Sequence, residues 1–343
     1  MFEEGPAGSP GRSFTVKSQA SNPLSFSSDV LAGLGASPRS TPPKWLYDAA
    51  GSRLFDDITR LEAYYPTETE RAILRDHAAE MADAVGAGAA LIEYGSGSSD
   101  KTRVLLDALL ATARPGAPGL AAYVPVDISP SALGAAAQAL RTDYPGLDVR
   151  PVVADYTQPF ALPDVSPRER RVVFFPGSTV GNFTPVETDA FFRHVVDVVG
   201  PGGALLIGAD QRKDAAVLHA AYDDAEGVTA AFNLNLLVRV NRELGGDARL
   251  DLWEHHARVF PDRVEMHLVS RVAQTLTVCG RAFSFAPGES IHTETSTKYG
   301  PDTLADLARP AGLARVRRWT DARAWFAVEL YTATLPSAPP LSE

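Results

Sequence analysis

The segment Leu91-Ile92-Glu93-Tyr94-Gly95-Ser96-Gly97-Ser98-Ser99-Asp100-Lys101-Thr102 joins an apolar run to two glycines and a periodic stretch, and reads as strand, turn and helix. Glycines in such a turn let the backbone reverse sharply and approach a ligand closely. Nucleoside triphosphate binding would need Gly-x-x-x-x-Gly-Lys-Ser/Thr; Gly95 to Thr102 nearly fits, but Asp100 stands at the second required glycine. A dinucleotide fingerprint, Gly-x-Gly-x-x-Gly, meets the same Asp100 at its third glycine. A carboxylate in either cradle repels phosphate.

The remaining pattern, Glu-x-Gly-x-Gly at a first strand end, suits S-adenosylmethionine, which carries no pyrophosphate but a carboxylate, an ammonium, a sulfonium and an adenosine. Its ribose calls for an acidic residue at the end of the next strand, where Val124-Pro125-Val126-Asp127 supplies Asp127. Its adenine calls for a polar partner one strand further on, where Asp155-Tyr156 stands. Capping of the following helices is the competing role for both carboxylates.

These residues need a frame. Short apolar runs at 91–94, 121–126, 149–153, 172–175 and 204–207 alternate with helical periodicity at 102–113, 131–144 and 186–199. That alternation predicts a buried parallel sheet with helices on both faces, whose ligands lie at the carboxyl ends of the strands. Ahead of it, Thr67 with Glu70 resembles a capping box opening a helix over about 68–85. Past Asp210 a helix is expected over about 214–244. Strand-like runs follow at 250–259, 263–269, 274–278 and 281–285, read as antiparallel and in a second lobe. A helix at 301–309 and strands at 314–319 and 325–331 return to the first sheet, making that lobe an insertion.

The expected architecture is therefore α/β, a Rossmann-like class I methyltransferase domain with an inserted α+β substrate-binding domain. Its boundaries are a disordered tail over 1–25, the cofactor domain over 69–212 plus 299–335, and the substrate domain over 26–68 plus 213–298.

Net charge is -10, so no basic footprint exists for nucleic acid or an anionic membrane surface. No run of 18 apolar residues and no leader pattern stands out, so a cytoplasmic location, without membrane attachment, is expected. The one cysteine, Cys279, excludes an internal disulfide and reads as a buried structural thiol in an apolar run. His255-His256 lacks a third ligand at a fitting spacing, so no metal is expected. A small-molecule substrate and a monomer complete the reading.

Four further segments narrow it: Pro42-Pro43-Lys44-Trp45-Leu46-Tyr47-Asp48, Leu61-Glu62-Ala63-Tyr64-Tyr65-Pro66-Thr67, Gly177-Ser178-Thr179-Val180-Gly181-Asn182-Phe183-Thr184-Pro185 and Ala221-Tyr222-Asp223-Asp224. Together they resemble the ergothioneine-pathway L-histidine Nα-methyltransferases, over about 42–331. The resemblance implies three methyl transfers from S-adenosylmethionine to the α-amino group of histidine, giving hercynine. It implies cofactor contacts from Tyr47, Gly95, Lys101, Asp127, Asp155 and Tyr156, the last replacing the family's usual Phe. It implies substrate contacts from Tyr64, Asn182, Tyr222, Glu294 and Ser296, with Phe55, Gly177, Thr179 and Met266 lining the pocket. Tyr64 and Asn182 would stand nearest the reacting amine.

The residue types suit those roles. An Asn amide both donates and accepts, so Asn182 can hold carboxylate and amine together, as can the Tyr64 and Tyr222 hydroxyls. Glu294 and Ser296 alternate along one extended segment and face one way, one for each imidazole nitrogen. Two alternatives stay open: an N-methyltransferase of another amino acid, such as tryptophan or a prenylated tryptophan, and a non-catalytic cofactor-binding regulator.

Overall fold

The structure, a computed structural model, describes residues 23–96, 100–116, 118–163 and 169–334. Helix α1 (Pro23–Gly35) comes first, then strand β1 (Arg39–Ser40), α2 (Ala49–Ile58) and α3 (Tyr65–Val85). The tail expected over 1–25 is cut short by α1, because Phe26, Val30 and Leu34 recur at helical spacing and bury with Trp45 and Leu46. Residues 1–22 lie outside the described residues.

The alternating part follows: β2 (Ala89–Tyr94), α4 (Asp100–Ala111), β3 (Leu120–Asp127), α5 (Pro130–Asp143), β4 (Val152–Val153), β5 (Arg171–Phe175), α6 (Pro185–Val199) and β6 (Ala204–Asp210). Then come α7 (Ala215–Tyr222), α8 (Val228–Leu244), β7 (Trp253–Phe260), β8 (Arg263–Ser270), β9 (Gln274–Val278), β10 (Arg281–Phe285) and β11 (Ser290–Thr297). Helix α9 (Thr303–Ala308) and strands β12 (Leu313–Thr320) and β13 (Phe326–Ala333) close the fold.

The main sheet has seven strands in the order β12-β13-β6-β5-β2-β3-β4. Strands β2 to β6 run parallel, and β13 joins β6 antiparallel. Successive residues feed opposite faces, as the pleat requires. Leu91, Phe174 and Leu206 join one apolar cluster, whereas Ile92, Val173 and Leu205 join another. A third cluster unites 26–58 with 218–291, so the start of the chain packs on the inserted segment. Its sheet runs β1-β11-β8-β7, with β9 and β10 as a separate hairpin.

Five further expectations are corrected. Helix α3 begins at Tyr65, with Pro66 in its first turn where a missing N–H does no harm, so Thr67 and Glu70 form no capping box. The helix expected over 214–244 is two helices, broken where Gly227 turns left-handed (φ 75) and Asp224 accepts the amides of Val228 and Thr229. The strand expected over 149–153 shrinks to two residues, and β11, taken only as an extended segment, is a full strand of the second sheet. Cys279 is exposed, because it and Gly280 (φ 49 and 72) form the tight turn of the β9–β10 hairpin and point away from the core. Among the described residues, no helix is long and apolar enough to cross a membrane.

Candidate active site

The glycine turn stands at the carboxyl end of β2. Gly95 has φ 70, donates its amide to the Val126 carbonyl at 2.9 Å, and lies exposed beside the Tyr156 ring. A side chain is strained at that φ, so glycine is required. Glu93, the acidic residue of the motif, is buried. The Thr102 hydroxyl donates to it at 2.7 Å and the Tyr123 phenol at 2.5 Å, which ties β2 to α4 and β3. Burial pushes its carboxyl up to about 7 against those bonds. Gly97, Ser98 and Ser99 lie outside the described residues, as does the Asp100 side chain.

Asp127 ends β3 and Asp155 follows β4, and both stand half-buried at the carboxyl end of the sheet with Gly95. Each uses one oxygen locally: Asp127 accepts the Ser129 amide at 2.8 Å, and Asp155 accepts the Thr157 amide at 2.9 Å. Tyr156 stacks on Tyr94, with centroids 5.3 Å apart and planes 6° from parallel. Lys101, in the first turn of α4, donates to Glu70 at 2.6 Å. Gly177 donates its amide to both Glu70 oxygens, and a methyl on Gly208 would strike Glu70 at 2.0 Å. Glu70 thus fastens α3 to α4, to the turn after β5, and to β6. The turn's left-handed glycine and the two carboxylates at successive strand ends fit a nucleoside cofactor without pyrophosphate.

Tyr47, Phe55, Tyr64, Tyr222 and Phe232 form an aromatic wall with centroid spacings of 5.3 to 6.2 Å. Burial pushes the Tyr47 phenol up, and Glu294, Tyr64, Tyr156 and Tyr222 all act on it electrostatically. It therefore stands within electrostatic reach of both Tyr156 and the Glu294–Tyr222 group. Tyr222 is anchored through its backbone: His255 Nε2–H donates to the Tyr222 carbonyl at 2.8 Å, and Asn233 donates to the other ring nitrogen.

Strand β11 supplies the polar floor. Glu294 pairs across the sheet with buried Met266; a bulge after His292 lets Thr293 and Glu294 both bury. Glu294 is 8% exposed, yet its Oε2 has no hydrogen-bond partner among the described residues. Burial pushes this carboxyl up to about 7, with Lys298 pulling it back. A buried acceptor left empty costs about 1–3 kcal/mol, so it is a candidate ligand contact. Ser296, two residues on, bonds to the Tyr222 hydroxyl at 2.8 Å.

Asn182 ends the short 3-10 turn Thr179–Asn182 after β5. The Thr179 hydroxyl donates to the Pro176 carbonyl at 3.3 Å, and the Asp210 amide donates to the Ser178 hydroxyl at 2.9 Å. Gly181 lies against the Thr297 backbone, which brings Asn182 to the edge of β11.

A second polar cluster lies behind this floor, and the sequence reading missed it. Asp210, at the end of β6, accepts from Lys298 at 2.8 Å, Lys213 at 2.5 Å and the Tyr65 hydroxyl at 2.6 Å. Burial pushes the Asp210 carboxyl up, but the two ammoniums together hold it below the usual carboxylate range. Burial brings Lys213 down to about 8. Asp210 was legible as a strand-end carboxylate, like Asp127. Lys298 was legible as the next member of the alternation Glu294, Ser296, Lys298.

A parallel sheet with a left-handed glycine turn after its β2 strand, and carboxylates at the next two strand ends, defines the class as a Rossmann-like methyltransferase that uses S-adenosylmethionine. Residues 26–333 match the S-adenosylmethionine-dependent, histidine-specific methyltransferases, and the chain belongs to that family. It is 45% identical over 307 residues to a histidine N-α-methyltransferase of Mycolicibacterium smegmatis, covering 88% of this chain and 93% of that one. It is 30% identical over 286 residues to ergothioneine biosynthesis protein 1 of Neurospora crassa, covering 82% of this chain and 32% of that one. It is 29% identical over 325 residues to an L-tryptophan methyltransferase of Psilocybe serbica, covering 87% and 90%.

Proposed function

We propose that the chain methylates the α-amino nitrogen of L-histidine three times, yielding hercynine for ergothioneine biosynthesis. The observation that carries the substrate is Glu294: a buried carboxylate with an empty oxygen, on the same strand face as the Ser296 hydroxyl. Glu294 accepts a ring N–H, and Ser296 serves the other ring nitrogen. An apolar ring in this position would leave Glu294 unpaired, which is a strong basis for rejection. Similarity to the mycobacterial histidine enzyme supports the same choice.

Tyr47, Gly95, Lys101, Asp127, Asp155 and Tyr156 hold S-adenosylmethionine, which supplies an electrophilic methyl on a sulfonium. The protein's own task is positional. Asn182 and Tyr64 hold the substrate carboxylate and amine, with the Tyr222 oxygen as an acceptor for the amine, while Phe55, Gly177, Thr179 and Met266 close the pocket against water. Burial keeps the Tyr64 phenol protonated, so it orients the amine by hydrogen bonding, and the proton of each transfer leaves to solvent. Monomeric, cytoplasmic operation completes this reading; light scattering on the purified chain tests the first part.

The deciding measurement is incubation with histidine and S-adenosylmethionine, followed by mass spectrometry. One, two and three methyl additions are expected; no addition overturns the reading. Because a tryptophan methyltransferase is among the relatives, tryptophan competes in the same assay. Turnover of tryptophan in preference to histidine moves the substrate to indoles.

A further inference from the structure

Lys298 is buried to the last atom: its side chain is 0% exposed. Its ammonium has three hydrogens and three acceptors, Asp210 Oδ2 at 2.8 Å, Tyr222 Oη at 2.7 Å and Ser296 Oγ at 2.8 Å. An ammonium offers no lone pair, so neither hydroxyl can turn its own hydrogen toward Lys298. The two hydroxyls are 2.8 Å from each other, so one donates to the other. That leaves one hydroxyl hydrogen over, and it must point away from the trio. Two residues before Ser296 on the same strand face stands the opposite function, the empty Oε2 of Glu294. The floor therefore holds one spare O–H donor beside one spare acceptor, and Ser296 is that donor when Tyr222 donates to it.

We propose that Lys298 is a positioning residue that sets the direction of the Tyr222–Ser296 hydrogen bonds. By this means the pocket selects a neutral five-membered ring with an N–H on one side and a nitrogen lone pair on the other. An imidazole has both; a pyrrole or an indole has only the N–H. The selection is a matter of polarity, not size: without a cation behind them, the two hydroxyls accept as readily as they donate. Lys298 itself never touches the substrate. Asp210 stays paired with Lys213 and Tyr65 when Lys298 is replaced, so a neutral substitution does not strand a buried carboxylate.

This inference rests on the histidine reading above. The test compares histidine with β-(pyrrol-2-yl)alanine, which keeps the ring size and the N–H but lacks the lone pair. Steady-state kinetics give the preference as a ratio of kcat/KM values, and calorimetry gives S-adenosylmethionine affinity. The unaltered enzyme should prefer histidine at least about tenfold, as expected where a site hydrogen-bonds a group its competitor lacks. In Lys298→Met the preference should collapse to about threefold or less through loss on histidine alone, with cofactor affinity changed less than about twofold.

A Lys298→Met enzyme that keeps the full preference overturns the inference. So does one that loses both substrates and cofactor equally, since that is a merely structural effect. Should the methionine variant fail to fold, Lys298→Gln keeps a polar group in the niche but adds a lone pair, and the same collapse is expected. Failure of the unaltered enzyme to methylate histidine overturns the functional reading instead, so the two failures are distinguishable.

Discussion

Gly181 and Thr297 touch backbone to backbone: a methyl on Gly181 would stand 2.9 Å from the Thr297 carbonyl oxygen and 3.1 Å from its amide nitrogen. This contact joins the turn that carries Asn182 to the strand that carries Glu294 and Ser296. Two halves of the proposed substrate pocket, built on different sheets, are set relative to each other by the absence of one side chain. Gly181→Ala should therefore push the turn off β11. The overpacking cost is about 1–3 kcal/mol, and catalytic efficiency on histidine should fall at least about tenfold. Cofactor affinity, measured by calorimetry, should hold within about twofold, because Gly95 and Asp127 lie away from the contact.

Replacing Glu294 by Ala should raise the histidine KM by roughly 100-fold, the scale of about 2–3 kcal/mol for a lost charged hydrogen bond. Calorimetric affinity for S-adenosylmethionine should barely change. Equal loss of both would place Glu294 in the scaffold and not at the ring.

Glu294 also predicts a pH dependence of stability. Its folded-state carboxyl is raised to about 7, above the ordinary carboxylate value. A raised group contributes stability that is fully present below its unfolded pKa and is lost as pH rises through the folded one. In the absence of histidine, Glu294→Gln should therefore match the unaltered protein more closely near pH 4.5 and gain on it up to about pH 7 and above. By linkage the relative gain is at most about 3 kcal/mol. Urea unfolding at both pH values measures it; a gain at acid pH instead would contradict the burial assigned to this carboxyl.

Gly208 is sealed by Glu70, whose oxygen would stand 2.0 Å from an added methyl. Gly208→Ala should evict the Glu70 carboxylate and leave Lys101 and the Gly177 amide without their acceptor. A fall in unfolding free energy of about 3–5 kcal/mol is expected, the usual cost of breaking a buried ion pair from one side. Thermal unfolding reads this directly, and a shift of only a degree or two would mean that the side chain can step aside.

Asp224 receives the first amides of α8, from Val228 at 2.9 Å and Thr229 at 2.7 Å. Asp224→Ala should cost about 1–2 kcal/mol, as for a lost helix cap, and lower the denaturant midpoint without changing the slope.

The parts of this protein that obey local rules were determined by sequence alone. Apolar runs alternating with helical periodicity give the parallel sheet, the glycines after β2 mark the cofactor turn, and Asp127 and Asp155 appear at the strand ends where such a sheet presents them. The pleat's period of two makes Glu294 and Ser296 share a face whatever the strand pairs with. Where tertiary contacts outbid local signals, the sequence misleads. Thr67 and Glu70 have capping-box spacing, but Glu70 is claimed by Lys101 and Gly177 from another part of the chain. Cys279 belongs to an apolar run, but the turn of a hairpin exposes it. The helix past Asp210 has continuous periodicity, but Asp224 and Gly227 divide it.

Only the folded chain decides what stands behind the pocket floor. Asp210 ends a strand of the main sheet and Lys298 follows the last strand of the other, and nothing in either local sequence names the other. Burial makes that pairing obligatory, because an ammonium removed from water must find its acceptors wherever the fold brings them.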